Sequence, residues 1–149
     1  MLRTALLILC GAMLPVAAAI PAAEPVAAHA SAETTLKVTV QYTGSGQVSQ
    51  EKRLWVWLFD QVPDHTAGTQ PVAVQSLAVN GGVANFTGIT PAQVWVAVMF
   101  DERGGYAADG PPPSGSPAWA YMVNDQQAPV APGPNAAIRI TFNDQFRLP

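Results

Sequence analysis

Cysteine occurs once in 149 residues, at Cys10, and histidine twice, at His29 and His65. That scarcity removes whole classes of chemistry. A zinc site draws on clustered cysteine and histidine ligands, and a disulfide scaffold needs paired cysteines. Nucleophilic catalysis needs a base within hydrogen-bond reach and a third group that orients it. Charge is scarce too, with 7 basic against 10 acidic side chains and a net charge of −3. A chain without a basic excess has no electrostatic footprint for nucleic acid or for an anionic membrane surface. There is no phosphate-cradling glycine loop and no glycine–serine–glycine elbow around Ser114 or Ser116. The inventory assigns no catalytic residue and calls for no cofactor.

Long hydrophobic runs are missing as well. Ala5 to Leu14 has the length of a signal-peptide core, follows Arg3, and is too short to span a bilayer. Pro15 breaks it, and Val16-Ala17-Ala18-Ala19 places small residues where a signal peptidase cuts. Residues 1–19 therefore read as a signal peptide, with cleavage after Ala30 as the alternative site. Residues 20–33 are rich in alanine and proline, without periodicity, and read as a linker. The chain is expected to be exported, periplasmic or secreted, with no membrane span in the mature part. Cleavage would remove Cys10 and Arg3 and leave a mature charge of about −4. Residues 34–149 are then one domain of about 115 residues, built without disulfides, in the normal single-domain range.

What is present is a series of short apolar runs between turn signals. Thr34 to Thr43 alternates, with Leu36, Val38, Val40 and Tyr42 on one face, and Gly44-Ser45-Gly46 ends it. Lys52 to Asp60 does not alternate: Leu54, Val56 and Leu58 lie on one face, Trp55, Trp57 and Phe59 on the other. Pro71 to Val79 is a third strand. Asn80-Gly81-Gly82 predicts a tight turn, and Val83 to Gly88 the return strand of a hairpin. Gln93 to Asp101 is again apolar on both faces, and strands of that kind are covered on both sides or display an aromatic face for a purpose. Trp119 to Val123 predicts a short strand and Ala137 to Phe142 the last. Seven short strands at this spacing predict an all-β, two-sheet sandwich.

Phe86-Thr87-Gly88-Ile89, Val94-Trp95-Val96-Ala97-Val98 and Phe100-Asp101 resemble the late strands of transthyretin-like sandwiches. That group includes carboxypeptidase regulatory-like domains and collagen-adhesin B-type repeats. Trp55 to Asp60, the Pro111 to Pro117 loop and the run into Phe142-Asn143-Asp144 are also similar to small bacterial exported proteins. The resemblance implies a seven-stranded, Greek-key, prealbumin-like sandwich, and it implies fold rather than activity. Transthyretin-like hydrolases of hydroxyisourate use paired histidines, an arginine and a tyrosine-arginine-glycine-serine tail. This sequence has Gln145-Phe146-Arg147-Leu148-Pro149 instead, so that activity is not implied.

Two constellations are candidates for function. Trp55, Trp57 and Trp95 share one face if the second and fifth strands pair, and with Trp119 they form a candidate ligand-binding face. An exposed row of this kind stacks on sugar rings. Alternatively, the proline-rich loop and Trp119 fold back and cover it, since an uncovered patch of that size is unusual. Asp101, Glu102, Asp109 and Asp144 are candidate cation ligands at one end of the sandwich, though without the spacing of a calcium loop. The sequence predicts a non-enzymatic module that binds or supports an unidentified protein or glycan, with carbohydrate binding through the tryptophan face as the alternative.

Overall fold

The computed structural model describes residues 34–64 and 68–149. The expected signal peptide, the linker and His65 lie outside them. The described residues are all-β, with no helix.

Strand β1 (Leu36–Tyr42) forms where the alternation is cleanest. Its odd side chains go outward while Leu36, Val38, Val40 and Tyr42 are buried. It is the middle strand of a three-stranded sheet, antiparallel to β4 (Val83–Phe86) and parallel to β9 (Ala137–Phe142). The second sheet has the order β3 (Ala73–Leu77), β2 (Leu54–Phe59), β5 (Trp95–Phe100), β6 (Ala118–Ala120), and every pairing in it is antiparallel. One core joins the two sheets. Val38, Val40 and Ile140 from the first pack in a single cluster with Val56, Leu58 and Val98 from the second. The architecture is β-sandwich-like. Tyr42 sits at one end of this core, its ring 4.6 Å from Phe100 and 5.1 Å from Phe142.

Two expectations are corrected. Asn80-Gly81-Gly82 does not close a hairpin, because β3 and β4 belong to different sheets. The turn docks on β1 instead and hands the chain across the sandwich. The Asn80 side chain accepts from the Tyr42 N–H at 2.8 Å and donates to the Tyr42 carbonyl at 2.7 Å. Gly81 N–H donates to Val40 at 2.9 Å, and the Gly82 carbonyl accepts from Val40 at 3.0 Å. The amide of Asn80 thus does the work of a strand residue, and Gly81, at φ 77°, makes the bend.

Trp119 to Val123 is not one strand either. It splits at Tyr121 into β6 and β7 (Met122–Val123), and β7 turns back on β8 (Gln126–Gln127). Asn124 and Asp125 carry φ of 52° and 60°, the paired positive angles of a tight two-residue hairpin turn. The described residues therefore form nine strands rather than seven.

The free edge of β4 is capped. Gln75 on β3 reaches across, accepting from the Asn85 N–H at 3.0 Å and donating to the Asn85 carbonyl at 2.6 Å. A side-chain amide here occupies the place of a further strand and blunts an edge open to foreign pairing.

Candidate functional site

The register of β2, β5 and β6 dictates what the outer face of the four-stranded sheet carries. Trp55 lies opposite Met99, Trp57 opposite Ala97, and Phe59 opposite Trp95. Across the next pair, Met99 lies opposite Ala118 and Ala97 opposite Ala120. Large rings on β2 therefore give way to alanines on β6. The result is a stepped surface, high at Trp57 and hollow at Ala97, Ala118 and Ala120. Trp95 joins the face as expected, packed at the far end beside Phe59 and only partly buried.

A cover lies over the high side. The Asp101 carboxylate, 1 % exposed, accepts from the N–H groups of Gly104 and Tyr106, both at 2.9 Å. This side-chain turn is a local aspartate habit, and it throws Tyr106 back over the sheet. The Tyr106 ring lies edge-on to Trp55 at 5.1 Å and tilted over Trp57 at 6.2 Å. Its hydroxyl donates to the Gly110 carbonyl at 2.8 Å and braces the loop. A second piece of cover comes from Leu148. Ala118 N–H donates to Phe146 at 3.1 Å, Leu148 N–H to Ser116 at 3.0 Å, and Gly115 N–H to Leu148 at 2.9 Å. These bonds lay residues 146–148 along the run into β6 and bury the Leu148 side chain against the tryptophans.

Trp55 and Trp57 are left 8 % and 6 % exposed. They are not an open row. Trp55 Nε1 is buried without a hydrogen-bond partner, a state that costs about 1–3 kcal/mol.

The placement of Trp119 is a correction. It pairs with Val98, so its side chain leaves β6 on the face opposite Trp55 and Trp57, and it meets the groove only at the sheet edge, against Phe146. It remains 37 % exposed, edge-on to Phe146 at 6.4 Å. The anchors of the cover are Tyr106 and Leu148, which the sequence reasoning missed. The signals were present: an aspartate followed by Gly104-Gly105-Tyr106, and the alternating apolar pair Phe146 and Leu148.

The cover does not close over the hollow side. A groove of about 770 Å³ remains, walled by Trp57, Phe59, Tyr106, Trp119, Phe146 and Leu148, with the three alanines beneath. Pro111 and Pro112 form part of its rim. A ligand site of this kind is mostly apolar and concave, with few polar groups. Here the charged side chains in the described wall are Asp64 and Asp109 alone.

The four acidic candidates do not form one set. Among the described residues, no group of three or more histidine, cysteine or acidic side chains is placed to hold a metal ion. Asp101 spends its oxygens on backbone amides, and Asp109 lines the groove. Glu102 and Asp144 meet at Arg147, at 3.0 and 3.5 Å. Asp144 also accepts from the Tyr42 hydroxyl, from the Ser45 N–H at 2.9 Å and from the Ser45 hydroxyl at 3.0 Å. The Tyr42 hydrogen bond, ahead of the Ser45 N–H, holds the Asp144 carboxyl below its ordinary range. Burial, reinforced by the same bond to Asp144, pushes the Tyr42 hydroxyl up to about 12. Burial also raises Tyr106, with the charges of Asp109 and Asp101 adding to it.

Among the described residues no helix is long and apolar enough to cross a membrane. No family model matches the chain, and no curated protein or solved structure matches it.

Proposed function

We propose that this is an exported, non-enzymatic β-sandwich module that acts by binding, and that the groove beside Trp57 is its site. One observation carries the reading: a cavity of about 770 Å³ whose wall is formed chiefly by aromatic, proline and aliphatic side chains. A reaction centre needs polar groups held ready for developing charge. Asp101, the buried carboxylate among the described residues, is turned instead into the backbone of its own loop. Export rests on the sequence of residues 1–19. The prealbumin-like reading is supported by the sheet orders, with β1 between β4 and a parallel β9, an arrangement unlike the immunoglobulin pairing of first, second, fifth and fourth strands.

Carbohydrate is the second reading, and it moves from the tryptophan row to the groove mouth. Trp119 and Phe146, 37 % and 44 % exposed, are the rings available there to stack on a sugar.

The test is binding of the neutral dye Nile red. Fluorescence should rise and saturate in the wild type. It should be lost in Ala97→Phe and in Ala120→Phe, each of which plants a ring in the hollow without touching the inner core. A dye signal that both variants retain, with their melting temperatures unchanged, would place the apolar site elsewhere.

A further inference from the structure

We propose that the groove selects an organic cation, an amine or quaternary ammonium carried on an apolar or aromatic body. The inference rests on reading the groove as a binding site. Three observations on its wall point the same way.

The first is the rings. Tyr106, lying over the nearly buried Trp57 at 6.2 Å, and the exposed Phe146, edge-on to Trp119 at 6.4 Å, are the rings at the groove wall. The face of an aromatic ring is electron-rich and attracts a cation within about 6 Å, most strongly for tryptophan. Such clustered rings recognise methylated ammonium groups, whose charge is spread over carbon surface that the ring also buries favourably.

The second is the sign of the charge. The described wall contains Asp64 and Asp109 and neither lysine nor arginine. Asp109 is exposed, is close enough to raise the Tyr106 hydroxyl through its charge, and has no ion pair among the described residues. An anionic ligand would meet repulsion here. A neutral ligand would leave the carboxylate unused.

The third is the neighbouring cation. Arg147 lies between two residues of the wall, Phe146 and Leu148, yet its guanidinium does not serve the groove. It donates to Glu102 at 3.0 Å and to the Gly115 carbonyl at 2.6 Å, and it pairs with Asp144. The Arg147 charge is thus committed elsewhere, and Asp109 is left without an ion pair among the described residues.

The experiment uses two probes of nearly the same shape, (3-hydroxyphenyl)trimethylammonium and its uncharged carbon isostere 3-tert-butylphenol. Each is titrated calorimetrically into the intact chain and into Asp109→Asn, which changes an exposed residue and leaves the cover's hydrogen bonds in place. The expected result is that the cation binds about tenfold tighter or better, in line with several cation–π contacts and one carboxylate. Asp109→Asn should reduce the cation-to-neutral ratio at least about threefold, an effect that raised salt should mimic. Equal affinities, or a preference that Asp109→Asn does not reduce, would overturn the cation selectivity while leaving the groove as a site. Failure of both probes to bind would overturn the groove reading itself, and the selectivity with it.

Discussion

Replacing Tyr42 with phenylalanine isolates one bond. The ring keeps its places against Phe100 and Phe142, while the hydroxyl that donates to Asp144 is removed. A hydrogen bond to a charged acceptor contributes about 1.5–3 kcal/mol. The Tyr42 hydroxyl rises from 10.0 to about 12. Burial accounts for the largest part of that rise, and Asp144 keeps both Ser45 donors and Arg147. The net loss should therefore be about 1–2 kcal/mol at pH 7, or about 4–8 °C in melting temperature for a domain of this size. The pH dependence follows from the two shifts. Asp144 is lowered, so its contribution is present above the unfolded carboxyl range and is lost as pH falls through the folded value. Tyr42 is raised, so its contribution is complete below pH 10 and is lost as pH climbs toward about 12. The gap between wild type and variant should be widest from about pH 5 to 9 and should narrow on both sides. Urea unfolding across that range is the assay. A gap under about 0.5 kcal/mol at pH 7, or one that widens on acidification to pH 3, would refute the reasoning.

A Cβ on Gly44 would overlap the Tyr42 hydroxyl and the Asp144 carboxylate. Gly44→Ala should therefore destabilise by about 1–3 kcal/mol, read by the same unfolding curves. Asn80→Ala removes both bonds that hold the turn to Tyr42. It should cost about 2 kcal/mol by chemical denaturation, with the hydrogen-exchange protection of the Tyr42 amide falling with it. Trp119→Ala should cost less than the 3–5 kcal/mol of a buried aromatic, about 1 kcal/mol, because the ring is 37 % exposed, yet it should weaken Nile red binding. Leu148→Ala should cost about 2–3 kcal/mol in thermal unfolding, toward the lower end for a buried leucine, and should red-shift tryptophan emission as Trp57 gains water.

The strands were legible wherever packing and local pattern agree. Leu36 to Tyr42 alternates because one face meets the core, and Trp55 to Phe59 fails to alternate because both of its faces are covered. Pairing of the second and fifth strands put Trp55, Trp57 and Trp95 on one face, as the sequence suggested. Sheet membership was not legible at Asn80-Gly81-Gly82. A local turn signal does not say whether the chain returns to its own sheet, and the deciding bonds run to Tyr42, 38 positions away. The cover was half legible. Two-sided apolar strands demand one, but the placement of Tyr106 depends on the Asp101 side chain gripping two amides. The face of Trp119 was not legible because it depends on register across β5 and β6, and periodicity in a three-residue strand does not fix register. The acidic residues resembled a ligand set until their donors were visible, since Asp101 and Asp144 each satisfy themselves within the protein.

The most direct test of the groove is the carbon-13 methyl spectrum of methionine-labelled protein during titration with 3-tert-butylphenol. Met99 and Met122 both line the groove and approach it from different strands. The account predicts that both methyl signals shift along one saturating curve, and that Ala97→Phe abolishes the response. Signals that stay fixed at large probe excess, or that shift as much in Ala97→Phe, would contradict it.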